Sequence, residues 1–586
     1  MGLTCDIAII GGGPGGSTCA SLIRKYNPDL SVLVLEKERF PREHVGESQL
    51  PLVGAILNEM GCYEKVDAAG FPIKLGATYR WGKNPDLWDF EFIPFGQFKD
   101  PDRPTPYTGQ RIWTAFQVDR AVYDTILLDH AEELGAEVRQ ETQVRRILVA
   151  DAEPDRVAGL ELDGGEVVSA RHYIDASGHV GVLRRGVGVG CSYPSSLQNV
   201  AMWDYWENAQ WAVSIGSGGT RVFVLSIGSG WIWFIPIGPT RTSIGFICPA
   251  QFYKEQGRSP EDLYAWALAQ EPMVCELTAE ATREGQVRTT KDWSFMADRM
   301  VGPNWFLAGE SGGFADPILA GGLMLTHAGA RECAYSILEL ERGELDAAWL
   351  KSRYEEAQKR RMNQHIRFAD FWYAGNGQFT DLEDWTSQIA RDAGVKLDPK
   401  EAFRWLSNGG FLDDIPGRVG IGGLDLAATK EVTRLLTDVK AGPGWRLNDY
   451  NVFRLNLTGA RQEKIPLLNA GRITAGSAWV RGIHTLPLVG SNALLVEVLK
   501  RHSAIDQIMK AILGYYRRSM DEPAAQVQLQ QTIQVLEVML IDGWVTGKRR
   551  AGRFALDIKS KTKDAMIHEN RDVRDRAKRD SGNGEG

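Results

Sequence analysis

Near the N-terminus, Gly11-Gly-Gly-Pro-Gly-Gly16 has the residue types and spacing to close around a pyrophosphate. Gly11 permits a tight turn, Gly13 lets backbone amides approach the phosphates, and Gly16 allows a helix to pack closely on a strand. The run follows a short β-branched stretch, Asp6 to Ile10, and opens a helical stretch from Ser17 to Tyr26. A second strand, Ser31 to Leu35, ends in Glu36, whose carboxylate can accept hydrogen bonds from ribose hydroxyls. Phosphates suit the helix N-terminus, and the acid at Glu36 disfavours a 2′-phosphate. FAD or NAD therefore fits better than NADP.

Later segments choose between them. Gln117 to Asp124 opens an amphipathic helix running to Leu134, with Arg120 placed to reach cofactor phosphate or ribityl groups. Tyr173-Ile-Asp-Ala-Ser-Gly178 ends a strand in a small-residue turn, and the strand at Trp305 leads into Gly309-Glu310 and Asp316-Pro317. Over about residues 1–345 these segments resemble the second-strand, DASG and GD motifs of hydroxylase-type FAD enzymes. The resemblance implies FAD. It departs at Glu310, one methylene longer than the aspartate usual in those enzymes.

Two further motifs narrow the family. Phe40-Pro-Arg42-Glu-His-Val-Gly46-Glu47-Ser48 follows the Glu36 strand, and Trp231-Ile-Trp233-Phe-Ile-Pro236 lies far downstream. In a strand the two indoles share a face, and the proline ends or edges it. With the glycine-rich turn, the chain resembles the flavin-dependent halogenases, marked by GxGxxG, FPRxxxGES and WxWxIP in that order. The resemblance implies that Gly11, Gly13, Gly16, Ser17, Glu36, Arg42, Ser48, Arg120 and Glu310 hold FAD. Reduced FAD and O₂ would oxidise halide to hypohalous acid. Trp231, Trp233 and Pro236 would wall the organic substrate off from the flavin, and the oxidant would travel to a separate pocket.

A lysine in that pocket would hold or polarise the oxidant as an ammonium donor, or form a haloamine as a neutral amine. Lys74, in Phe71-Pro-Ile-Lys74-Leu-Gly76-Ala77, is similar to the lysine-bearing strand of the family. Lys83 is the weaker candidate. Halide needs backbone N–H donors, and Gly321 and Gly322 in Asp316-Pro-Ile-Leu-Ala-Gly321-Gly322 supply them at a helix start. Many relatives carry two serines before the glycine, where this chain has Ala320-Gly321. The glutamate of tryptophan halogenases is also absent, since Leu319 and Ala320 occupy its place, which favours a phenol, pyrrole or enolisable compound over an indole.

The elements that must position these residues follow from the whole chain. At 586 residues, 43% hydrophobic and 24% charged, it has the composition of a soluble multidomain protein. A net charge of −8 gives no general attraction to nucleic acid or acidic lipid. Seven cysteines without a CxxC pair argue against a disulfide framework or metal site. Neither a signal peptide nor a membrane span of ~18 apolar residues is evident, so a cytoplasmic location is expected. Tryptophans crowd into Trp81–Trp113 and Trp203–Trp233, suggesting a shared aromatic pocket.

The expected fold is α/β: a Rossmann-like FAD-binding domain over 1–345, interleaved with an antiparallel-sheet substrate domain from about 71–113 and 186–295. A mainly helical region follows over 346–485, with apolar periodicity in 347–375 and 381–407. Residues 486–550 are similar to a small winged-helix module that packs or docks a carrier protein, since it lacks a basic recognition helix. The last segment, 551–586, reads as a mobile tail. Only one dinucleotide fingerprint occurs, so a separate flavin reductase is implied as partner, with a free or carrier-tethered small-molecule substrate. The alternatives are a single-component FAD monooxygenase of the same fold and a non-catalytic flavoprotein with a partner-binding C-terminal module.

Overall fold

The computed structural model describes residues 2–382 except 83, 94–97, 100–101 and 215–217, residues 444–558 except 483, and residues 384, 387–389, 430, 432, 436 and 567–569. The chain divides into two compact units. One comprises Met1–Val395, Ala470–Arg472 and Met566–Gly586, and the other Lys396–Asn469 and Ile473–Ala565.

In the first unit, strands Leu3–Ile10 and Val32–Leu35 run parallel, and their paired apolar residues, Ile7–Ile10 and Val32–Leu35, are buried on both faces. Val167–Asp175 pairs in parallel on the other side of Leu3–Ile10, and Trp305–Leu307 pairs in parallel with Val167–Asp175. Glu137–Arg139 extends the opposite edge, while Val144–Ala150 and Glu153–Leu162 add an antiparallel annex. Helices Pro14–Tyr26 and Gly322–Arg342 meet at fully buried residues: the His327 ring lies 2.8 Å from the hydroxyls of both Thr18 and Tyr123. Burial lowers the His327 pKa to about 3, so it stays neutral and serves as a fixed hydrogen-bond junction.

The second sheet runs in the order Gln198–Glu207, Arg241–Pro249, Gly230–Pro236, Gly219–Ile227, Ile73–Arg80, Trp88–Glu91. It is antiparallel except at one seam, where Gly219–Ile227 and Ile73–Arg80 run in parallel. The antiparallel sheet expected from sequence is present, with this one parallel seam in addition. The two strands come from separate excursions out of the nucleotide-binding part, so no hairpin forces them to run in opposite directions. Phe223, Leu225, Ile232, Phe234, Ile244 and Phe246 share one core with Leu263, Tyr264 and Ala267 of helix Pro260–Ala269. Trp231, Trp233 and Ile235 consequently face the other side. Pro236 ends its strand in the sheet interior, so it terminates the strand without marking an edge.

Helix Ala347–Ala374 belongs to this unit, because Trp372 and Tyr373 at its end pack against Trp81. The sequence alone had assigned it to a separate C-terminal region. Of the segment expected to be a mobile tail, Ile567–Glu569 forms a strand antiparallel to Trp88–Glu91.

The second unit builds its core from helices Gly490–Arg501, Ile505–Tyr516 and Glu522–Ile541, with Leu495, Ile508, Ile512 and Leu536 at the centre. A two-stranded ribbon, Val452–Leu455 with Val545–Lys548, closes one side of it. Most of 381–407 and the loop regions around 417–423 lie outside the described residues.

Candidate active site

The glycine-rich turn sits between the first strand and helix Pro14–Tyr26, whose start carries no side-chain cap. Its first amides therefore point outward without an intrahelical acceptor. A Cβ on Gly16 would fall onto the Gly11 carbonyl oxygen, so only glycine lets the helix begin this close to the strand. Glu36 is buried at the end of the second strand and accepts from the amides of Gly12 at 2.7 Å and Glu38 at 2.9 Å. The carboxylate is thereby fixed beside the turn. A Cβ on Gly13 would lie 3.1 Å from the Arg42 guanidinium, which closes the same cradle from the 40–48 loop. The Ser48 hydroxyl is buried without a hydrogen-bond partner among the described residues. These features fit an adenine dinucleotide, with the turn at its pyrophosphate and Glu36 at its ribose. The Ser17 hydroxyl donates to the Gly12 carbonyl at 2.8 Å and stiffens the turn.

Arg120 was expected to reach cofactor phosphate or ribityl groups. Its guanidinium instead grips Asp124 at 2.8 and 2.9 Å and donates to the carbonyls of Val45 at 3.0 Å and Gly46 at 3.2 Å. It shapes the loop that carries Glu47 and Ser48. Glu310 is buried and its pKa raised by desolvation, an effect the Arg120 charge partly offsets. It lines a cavity together with Gly322, Thr326, Gln358 and Arg361.

Lys74 lies in strand Ile73–Arg80, 2% exposed, and donates from Nζ to the Gln49 carbonyl at 2.9 Å. Nζ also stands 5.5 Å from the centre of the Phe92 ring. Among the described residues no carboxylate pairs with it, and burial alone lowers its pKa to about 7. A solvated strand lysine would show the opposite on every count. The weaker candidate, Lys83, lies outside the described residues.

The ring centres of Trp231 and Trp233, the indoles expected to form a wall, are 6.1 Å apart. Trp233 donates to the Ser243 hydroxyl at 3.1 Å, and its ring occupies the space above Gly245 where any side chain would collide. Trp231 donates to the Tyr373 hydroxyl at 2.8 Å and lies 6.4 Å from Trp81. Trp81 and Trp231 do share an aromatic cluster, and Trp372, Tyr373 and Phe379 complete it. Those last residues escaped the sequence reading. The apolar helical spacing over 347–375 takes in Trp372 and Tyr373 without indicating which aromatic carries a partnered hydroxyl, and Phe379 lies outside the periodic segments.

The turn at 316–322 follows the third flavin motif. The Asp316 carboxylate accepts from the Ile318 amide at 2.9 Å, capping the short turn Pro317–Leu319. Ala320 then adopts φ 54°, a left-handed conformation that is strained for alanine. Gly321 precedes helix Gly322–Arg342 and offers no side-chain cap. The structure therefore leaves backbone N–H groups at this helix start for an outside acceptor.

A family model described as tryptophan halogenase matches residues 6–101 and 97–388. The tryptophan 2-halogenase of Chondromyces crocatus is 30% identical over 414 residues, covering 69% of this chain and 75% of that one. The chain belongs to the flavin-dependent halogenases. As a halogenase it uses FAD and halide, and the family in general takes electrons from a reductase and acts on aromatic substrates. Among solved structures, the myxobacterial chondrochloren halogenase CndH is 27% identical, with TM-score 0.57 over 74% of this chain and 97% of that chain. The flavin-dependent halogenase CmlS matches in fold over 96% of this chain and 100% of that chain, with TM-score 0.69 at 22% identity. No helix among the described residues of the halogenase is long and apolar enough to cross a membrane.

Proposed function

We propose that this halogenase acts on an electron-rich phenol, pyrrole or enolisable compound, free or tethered to a carrier protein, and that Lys74 is its catalytic residue. Bound FAD supplies the reducing equivalents that let O₂ oxidise halide to hypohalous acid. The chain's own residues then govern where that oxidant goes. The amides of Gly321 and Gly322 hold the halide at the helix start, where amide dipoles favour an anion. Trp231, Trp233 and Pro236 exclude the organic substrate from the flavin side while a small oxidant passes.

The observation that carries this reading is the dry setting of Lys74, with no paired carboxylate among the described residues. An amine with a pKa brought to about 7 is available in its neutral form, which a solvated lysine is not. The neutral nitrogen attacks the halogen of hypohalous acid and displaces hydroxide, which leaves as water with the amine proton. The substrate carbon then takes the halogen as the N–halogen bond breaks, and the proton that this carbon loses restores the amine. The absence of a turn glutamate at Leu319-Ala320 argues for an arene or enol that needs no such acid beside it. A separate flavin reductase is the partner, since the chain carries a single dinucleotide fingerprint.

The test supplies reduced FAD, O₂ and bromide with a panel of phenols and pyrroles, free and carrier-tethered, and reads products by mass. Brominated product is expected. Hydroxylated product would transfer the protein to the monooxygenase reading. Lys74→Ala should abolish bromination while flavin re-oxidation and hypobromous acid release continue, and full bromination by that variant would remove Lys74 from its role.

A further inference from the structure

The hydroxyl of Tyr373 joins two parts of the site that the sequence places far apart. It accepts from the Trp231 indole at 2.8 Å and from the Asn199 amide at 3.4 Å. It lies 3.4 Å from Asp316 Oδ1, to which it donates. That same oxygen accepts from the Ile318 amide and so sets the turn leading to Gly321. Helix Ala347–Ala374 thus touches the wall and the turn through one oxygen atom.

The surroundings hold this hydroxyl in place. The Tyr373 ring packs edge-on against Trp81 with centres 5.6 Å apart, and the Trp81 indole donates to the Trp372 carbonyl at 2.8 Å. Asn376, just beyond the helix, donates to the Ser226 hydroxyl at 2.8 Å. Asp370, one helical turn before Tyr373, is buried and accepts from the Ser195 hydroxyl. Burial, with Asp370 nearby, raises the Asp316 pKa, so the donated Tyr373 hydrogen bond helps to keep a carboxylate in a dry place.

The strain at Ala320 gives the contact its purpose. A left-handed alanine persists only where its neighbours fix it, and the Asp316 cap is the fixing contact on its N-terminal side. We infer that Tyr373 is a positioning residue for the halogenation reaction, coupling the Trp231 wall to the halide turn so that both keep one geometry. The inference rests on the proposed roles of that wall and that turn. Oxidant made beside the turn then meets a wall whose position is tied to it.

The experiment is a double-mutant cycle on the full chain with Tyr373→Phe and Trp231→Phe. Reduced FAD, O₂ and bromide are supplied, with free methionine outside as a trap for escaping hypobromous acid. Flavin re-oxidation and bromination by the unmutated enzyme establish the parent reading separately. Tyr373→Phe is expected to raise the KM for bromide by about threefold or more, and the trapped fraction with it, at unchanged FAD affinity. Trp231→Phe should move the bromide KM in the same direction, and the double variant should add little to either single one. Additive effects, or a bromide KM for Tyr373→Phe equal to that of the parent, would overturn the inference. If Tyr373→Phe does not retain FAD, Asp316→Asn and Asp316→Ala replace it. Asparagine keeps an oxygen for Ile318 and Tyr373 and should hold the bromide KM, whereas alanine should raise it; equal values in the two would overturn the inference.

Discussion

Lys74 is the residue whose chemistry depends most on its surroundings. In the folded chain its pKa is lowered to about 7 from the ordinary 10.5, so between those values the folded amine is neutral while the unfolded one is protonated. The unfolded chain then binds the extra proton, and stability rises with pH through that window by about 1.4 kcal/mol per unit from this group. Lys74→Met removes the slope and should stabilise the protein near pH 7, as read from denaturant midpoints across that range. The halogenation rate, for its part, should climb through about pH 7 as the amine loses its proton. A rate falling through the same pH would assign the ammonium form to the reaction.

The dinucleotide turn and Glu36 were legible as residues because their chemistry is local: a turn, a helix start and an acid one strand away. Lys74 was legible as a position but not as a state. Its dryness comes from Gln49, Phe92 and the packing of two chain excursions, none of which its own strand reveals. The Arg120–Asp124 pair, one helical turn apart, was not read from the sequence, where Arg120 was considered only for its reach towards a cofactor.

Among elements, the wall strand depends on its neighbour. Trp233 lies flat only because position 245 has no side chain, so Gly245→Ala should push the indole out of place. The expected result is a larger share of hypobromous acid escaping to an external trap, together with a loss of about 1–3 kcal/mol from overpacking. The parallel seam depends on charge. Arg221 of strand Gly219–Ile227 is wholly buried and pairs with Asp89 of the strand beyond Ile73–Arg80, whose other oxygen accepts from Thr78. Arg221→Met leaves buried carboxylates without their cation and should cost about 3–5 kcal/mol in equilibrium unfolding. Alternation of apolar and polar residues had indicated strands here. It could not indicate that one seam is parallel, since periodicity carries no information about which strand lies beside which.

At the scale of the whole molecule, the sequence carries one dinucleotide fingerprint, at Gly11–Gly16. Alone with NADH and FAD it should leave the nicotinamide unoxidised, and absorbance should fall only when a flavin reductase is added. Steady oxidation by the purified chain would require a nicotinamide site that its motifs do not contain. The motif-bearing strands read from sequence all lie in the first unit, whose bounds differ from the expected 1–345. The allegiance of helix Ala347–Ala374 was hidden, because its periodicity shows that it buries a face without showing what covers that face.

Lys74, which has no counter-ion among the described residues, also makes the proposed site sensitive to hydration. Dryness and not a neighbouring charge lowers its pKa, so water admitted to the pocket would favour the protonated amine and, if Lys74 has the proposed role, quench it. A substrate that seals the pocket keeps the nitrogen reactive, whereas one that fits loosely wets it. Selectivity would then act through solvent as well as shape: a poorly fitting guest disarms the residue that would modify it.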